Sequence, residues 1–481
     1  MRPNRRVLLG GAAALGATAL AGLAPLSAAP TGLFSLGVAS GDPLPDGVVL
    51  WTRLAPEPLA PDGLGGMPGA PVPVEWQVAA DERFSRVERS GSVLAMPEDA
   101  HSVHVEVSGL RPGAWYFYRF RAGGQVSPAG RTRTAPDAGL RRLAFAFASC
   151  QHYADGFYTA HAHLAEEELD LVVFLGDYIY EGGSQGSLGR GHRPAHELRT
   201  LADYRVRFAQ YKSDANLQAA HAAFPWIAVF DDHEVQNNWA GDHSDTGVPR
   251  AEFRARRAAA FQAYYEHLPL RRAQRPTGPD IRIHRRLTFG DLVDFHVLDT
   301  RQYRSPAHTM LGPPQKDWLF HNLAGPTARW NVLAQQVFFT PLRPGASADT
   351  WYGCPAERNE VRDHLAHASS PVIITGDAHG NFVADVHADF DDPASPVVAT
   401  EFVGTSISSE GDGIDHPPGA AAQLRANPHL KFVNRQRGYV RNLVTPETWT
   451  ADYRVVDRVS QPQASVRVVA GFELEAGRRG V

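Results

Sequence analysis

Only two cysteines, Cys150 and Cys354, occur in 481 residues, so a single disulfide is the most that crosslinking could offer this chain. A net cationic field is missing too. The 47 Lys and Arg residues against 52 Asp and Glu leave a formal charge of -5, which excludes a basic surface for nucleic acid or anionic lipid and makes any phosphate recognition local. No apolar run past the N-terminal segment is long enough to span a bilayer. No GxGxxG fingerprint opens a helix, which argues against dinucleotide binding. There is no internal repeat or long low-complexity segment. What is present is a chain with 43% hydrophobic residues, able to bury a large core and long enough for more than one domain.

The N-terminus, MRPNRRVLLGGAAALGATALAGLAPLSAAP, reads as an address. Arg5 and Arg6 precede a moderately apolar Ala/Gly/Leu run, Ser27 and Ala29 occupy small-residue positions before a cut, and Pro25 and Pro30 stand where a stop-transfer pattern would be. Residues 1–29 are therefore expected to be a twin-arginine signal peptide, with the Tat export machinery as partner and a secreted or periplasmic mature protein. Tat substrates cross folded, often around a metal or cofactor.

Residues 31–135 carry short, partly alternating segments rich in Val, Trp, Tyr and Phe, such as DGVVLWTRL, HSVHVEVSGL and AWYFYRFRAGG, separated by turn residues. They predict an N-terminal all-β sandwich of the Ig/fibronectin-like kind, without a catalytic cluster. After TAPDAGLRR, residues 140–470 alternate apolar strands with helical stretches such as HAHLAEEEL, RVRFAQYKSDANLQAAHAA and EFRARRAAAFQAYYEHL, which is α/β patterning.

In that second region the strands end in one kind of chemistry. RLAFAFAS leads to Cys150, LVVFLG to Asp177, Tyr180 and Glu181, PWIAVF to DDHEVQNNWAGD, DLVDFHVLD to TRQYR, and PVIITG to DAHGNF. Open α/β sheets bind ligands at the carboxyl ends of their strands. One Asp after a strand is ordinarily a helix cap. Five such ends together, with adjacent Asp231 and Asp232 repelling unless a cation compensates them, point instead to metal. Carboxylate, imidazole, phenolate and thiolate suit a Lewis-acidic transition metal such as iron, while carboxylates with the amide of Asn238 suit Ca²⁺ or Mg²⁺. A tyrosinate favours ferric iron, because a phenol must lose its proton to bind.

GDYIY, Gly176 to Tyr180, resembles the GDxxY motif of purple acid phosphatases and calcineurin-like metallophosphoesterases. More closely, FSLGVASGDPLPDGVVLWTRLAP, FASCQ, GDYIYE, DDHEVQNNWAGD, LDTRQYR, GDAHGNF and NPHLKFVNRQRGYV, in that order, resemble the PhoD-like alkaline phosphatase family over nearly the whole chain after the signal. The resemblance implies an αββα metallophosphoesterase-like sandwich carrying Fe(3+) and Ca(2+), with phosphomonoesters and phosphodiesters hydrolysed by a metal-activated water or oxide. Carried over residue by residue, it makes Asp177 the bridging ligand and Cys150 and Tyr180 iron ligands. Asp231 or Asp232, Asn238, Asp377 and His379 complete the shell. His233 is placed to meet a phosphoryl oxygen or the leaving group, or to support the metal shell. Arg301, with its five guanidinium donors, either clamps a phosphoryl oxygen or serves as a structural ion-pair partner. Glu181 and Asn237 stand just behind.

The sequence departs from simpler metallophosphoesterases: Asp232 replaces an Asn, Asp377 a His, and RWNVLAQQ offers Gln335 and Gln336 where a histidine is expected. Fewer imidazoles and more carboxylates shift the site toward iron with harder ions.

Other classes are weaker. GGSQG, Gly182 to Gly186, matches GxSxG but has no strand directly before it and no helix directly after, against a serine nucleophile. A non-catalytic surface-binding module would leave the clustered ligand types unexplained. A phospholipase D-like diesterase acting on lipids is the alternative within enzymes. It would need aromatics such as Trp239, Tyr303 and Trp351 at a rim, whereas large aromatics more often fill a core.

Overall fold

The computed structural model describes residues 32–325, 328–344 and 347–481. The expected signal at 1–29 lies outside the described residues.

The uniformly apolar segments form strands buried on both faces. Leu143–Ala148, Leu171–Leu175 and Pro225–Val229 lie parallel at the middle of a nine-stranded sheet. Its order is Val466–Glu475, Thr448–Val456, Gly438–Val444, Leu143–Ala148, Leu171–Leu175, Pro225–Val229, Val38–Leu44, Gly47–Arg53 and Ser102–Val107. A second sheet of eight strands has at its centre the parallel run Val293–Val297, Trp330–Gln335, Pro371–Thr375 and Val397–Val403.

The two sheets face each other across one core, in which Phe145 meets Phe295 edge to face at 5.1 Å. Period-two alternation divides the second sheet's side chains: Val332, Ala334, Val372 and Ile374 enter that core. Leu333 and Ile373 pack instead against the helices Gly312–Ala324 and Pro355–Leu365. The helices Thr159–Glu166, Leu201–Lys212, Ala215–Ala223 and Arg250–His267 contribute to the core from the other side. The helical stretch RVRFAQYKSDANLQAAHAA is divided between two helices. Ser213 ends the first, and the Asp214 side chain caps the second by accepting the Asn216 N–H at 2.9 Å.

The N-terminal β region shares the nine-stranded sheet with the second region. Val72–Ala79, Val87–Ala95 and Trp115–Ala122 build a five-stranded sheet with two short strands, but its packing partners belong to the nine-stranded sheet. Val38–Leu44 pairs in parallel with Pro225–Val229, 185 positions on by the pairing of Ser40 with Pro225. No described helix is long and apolar enough to cross a membrane.

Candidate metal centre

The centre sits at the carboxyl ends of the parallel strands, where the two sheets meet. Leu171–Leu175 runs into Gly176 with φ +96°, and a Cβ there would stand 2.4 Å from that of Asp231, so only glycine lets the two strand ends approach. Five predicted ligands have left-handed backbone, with φ of 58° at Cys150, 55° at Asp177, 52° at Asn238, 57° at Asp377 and 44° at His379. Such conformations cost energy in non-glycine residues and persist where the surroundings enforce them, commonly at functional sites.

Three groups of donor atoms lie within 4.8 Å of one another: Cys150, Asp177 and His379; Asp177, Asp232 and His233; and Asp177, Asp231, Asp232 and Asp377. Asp177 belongs to all three. Tyr180 joins the first through its hydroxyl, which donates to Asp177 Oδ2 at 3.0 Å and lies 3.1 Å from His379 Nε2. Asn238 comes in through its backbone: its N–H donates to Asp232 Oδ2 at 2.7 Å, and the residue is exposed.

Arg301 is wholly buried behind the carboxylates. Its Nε donates to Asp231 Oδ1, Nη1 donates to both oxygens of Asp349 at 2.9 and 2.8 Å, and Nη2 lies 3.5 Å from Asp232 Oδ1. These are the contacts of an ion-pair partner, while Nη2 has no hydrogen-bond partner among the described residues. His233 is partly exposed, its ring 4.2 Å from that of Tyr180. Its Nδ1 is 2.7 Å from Glu181 Oε2, while Glu181 Oε1 accepts the Asn237 N–H at 2.7 Å.

Charge is poorly balanced here. Burial, then the neighbouring carboxylates of Asp232 and Asp231, push the Asp177 carboxyl well above its ordinary range, despite His233. Burial raises Asp231 despite Arg301, and burial followed by Asp232 pushes Asp377 up to about 8. Burial also disfavours ionised Asp232, yet Arg301 and His233 hold it below the usual carboxylate range. Burial and then Asp177 raise both the Cys150 thiol and the Tyr180 phenol well above normal. For His233 burial opposes charge, but Asp232, Asp177 and Glu181 hold the imidazolium well above the ordinary histidine range. Asp231 Oδ2 and Asp232 Oδ1 are buried without a hydrogen-bond partner. Buried carboxylate oxygens without a hydrogen-bond partner are what a cation would satisfy.

Some functional side chains escaped the sequence reading. Glu234, fully buried, accepts the N–H groups of Asp177 (3.1 Å), Tyr178 (2.6 Å) and Asp231 (2.9 Å), tying two strand ends together. A sixth strand, Val397–Val403, leads into GTSISSEGD, which brings Ser409 to Tyr180 and Glu410 to within 3.3 Å of His379 Nδ1. The signal was another apolar strand ending in a polar turn.

Gln335 and Gln336 are structural. The first donates to Thr375 and accepts the Trp351 indole N–H, and the second accepts from Thr300. Trp239 and Trp351 are core residues and Tyr303 is half-buried. Both cysteines are free, in different parts of the molecule. GGSQG lies in a loop with no adjoining strand or helix.

The chain is similar to known proteins over most of its length. Residues 145–453 match the model of the PhoD-like phosphatase family, and residues 21–136 match that of the PhoD-like phosphatase N-terminal domain. Alkaline phosphatase D of Bacillus subtilis (strain 168) is 49% identical, over 93% of this chain and 82% of that protein. A solved structure of PhoD superposes with a TM-score of 0.90 at 47% identity, covering 94% of this chain and 93% of that one. With sequence and overall structure matching over nearly all its length, the chain belongs to the PhoD-like phosphatase family.

Proposed function

We propose that the protein is a metal-dependent phosphoric ester hydrolase of the PhoD type, acting on phosphomonoesters and phosphodiesters at the centre around Asp177. The observation that carries this reading is the place of Asp177, shared by a carboxylate group on one side and a thiol–imidazole group on the other. Cys150, Tyr180 and His379 would hold ferric iron with Asp177, and Asp231, Asp232, Asp377 and Asn238 would hold calcium. Bound there, the ions would supply Lewis acidity that neutralises the phosphoryl oxygens and acidifies the attacking water.

The chain's own residues position and move protons. His233, oriented through Nδ1 by Glu181 and charged by the surrounding carboxylates, presents Nε2 as the proton donor to the departing alkoxide. Arg301 acts on Asp231 and Asp232 as a positioning residue, itself fixed by Asp349. The layered sheets support the αββα metallophosphoesterase-like reading. The two family matches fall on either side of residues 137–144, which supports the division into 31–135 and 140–470. Export as a twin-arginine substrate to the periplasm or medium belongs to the same proposal.

Elemental analysis of the purified protein, followed by rates on a small monoester, a small diester and a phospholipid, tests it. Iron and calcium near stoichiometric, with both small esters cleaved and lost on chelation, is the expected result. Zinc alone, no metal, or rates indifferent to chelator would overturn it. Preference for the phospholipid would favour the lipid diesterase, for which the burial of Trp239 and Trp351 offers no support.

A further inference from the structure

The loop after Val397–Val403 closes the centre from the second sheet, and the chemistry above makes no use of it. Ser409 is buried there, its hydroxyl 2.7 Å from Tyr180 Oη and 2.8 Å from the Cys150 carbonyl oxygen, while accepting the His152 N–H at 3.1 Å. Its neighbours hold it in place. Ser406 Oγ donates to the Ser409 carbonyl at 3.0 Å, Ser408 Oγ donates to the His152 carbonyl at 3.0 Å, and the Glu410 N–H donates to Asp155 Oδ2 at 2.9 Å.

One hydroxyl proton therefore has two acceptors in reach. While Tyr180 is a phenol, its own proton is given to Asp177 Oδ2, and the Cys150 carbonyl is the better acceptor for Ser409. A phenolate oxygen is a stronger acceptor than a peptide carbonyl and draws the Ser409 proton to itself.

We propose that Ser409 is a positioning residue that donates to the Tyr180 phenolate and sets how much charge that oxygen gives to a bound metal. The proposal rests on the reading of Tyr180 as a ferric ligand. A hydrogen bond to a ligand oxygen stabilises its lone pairs and weakens its donation, and because the phenolate donor orbital is lowered, ligand-to-metal charge transfer requires more energy. Nothing else among the described residues donates to Tyr180 Oη from a side chain fixed in this way, His379 being the ligand on its other flank.

The test compares the full-length wild type with S409A and S409T, each loaded with ferric iron to equal content by elemental analysis. In S409A the visible tyrosinate charge-transfer band is expected to move to longer wavelength, and the phenolate C–O mode in resonance Raman to shift with it. S409T, which keeps the hydroxyl, returns both toward wild type. A residue that merely packs would lower thermal stability without moving either signal. A band unmoved in S409A while the wild type shows one overturns the role of Ser409 and leaves iron at Tyr180 intact. An iron-loaded wild type without a tyrosinate band overturns the ligation by Tyr180, and the role of Ser409 with it.

Discussion

On one side of Asp177 stand Asp231, Asp232 and Asp377, four carboxylates in all with one guanidinium, Arg301, behind them. On the other stand Cys150, Tyr180 and His379, whose thiol and phenol are kept protonated by burial and by Asp177. The first side gathers more carboxylates than one guanidinium balances, so burial and mutual repulsion raise three of them and a hard cation would relieve the crowding. The second becomes a ligand set only when a cation strong enough to displace protons arrives. One residue joins two sites of opposite chemical temper, which is how a single cleft can separate two kinds of ion.

Removing that shared residue should have the largest effect. Asp177→Asn is expected to lower kcat/KM by roughly 10³-fold and to reduce both metals, with the circular dichroism spectrum unchanged. Full activity in this variant would remove Asp177 from the centre. Cys150→Ser breaks only one side: iron should be lost while calcium stays, and retained iron with normal turnover would return Cys150 to a packing role.

Stability against pH should distinguish metal-free from loaded protein. The folded-state pKa of Asp377 is raised, to about 8, from an ordinary carboxylate value. Its contribution to stability is therefore present at low pH and is lost as pH rises through about 8, when the buried group must ionise beside Asp232. Metal-free protein should lose thermal stability from pH 5 to about pH 8, and metal-loaded protein should not. A flat metal-free profile would show that this charge is balanced by other means. The smallest effect belongs to Glu234→Gln. An amide cannot accept three N–H bonds as the carboxylate does, so metal affinity is expected to fall about 10-fold. Apo-protein Tm and a chelator titration, measured together, separate loosened ligands from a loosened fold.

The gathering of Cys150, Asp177, Asp231 and Asp377 was legible because each comes just after a strand of unbroken apolar character. LVVFLGDYIY and PVIITGDAHG announce both the element and the side chains it presents. What stayed hidden depends on partners distant in sequence. Glu234 is plain in DDHE, but its role appears only when the N–H of Asp177, 57 positions away, is found on it. In sequence, Arg301 suits a substrate clamp and an ion pair equally, because burial behind Asp231 is a property of packing. Pairing of Val38–Leu44 with Pro225–Val229 could not be read from turn spacing either, so the N-terminal strands seemed self-contained. Ser409 gives no signal in sequence, because serine in a Gly-rich turn is ordinary until it has a neighbour.

The seam between the sheets has one more consequence. Ser149 bridges to Ser406, and a Cβ on Gly376 would come within 3.0 Å of Ser149 and of the Leu175 carbonyl, so strand ends of the two sheets interlock beneath the ligands. Cys150, Asp177 and Tyr180 come from one sheet, Asp377, His379 and Ser409 from the other. Neither half-folded sheet possesses the centre. Ions captured there would act as an assembly check, rewarding only chains in which both sheets have formed and closed, and each ion bound would make their separation rarer.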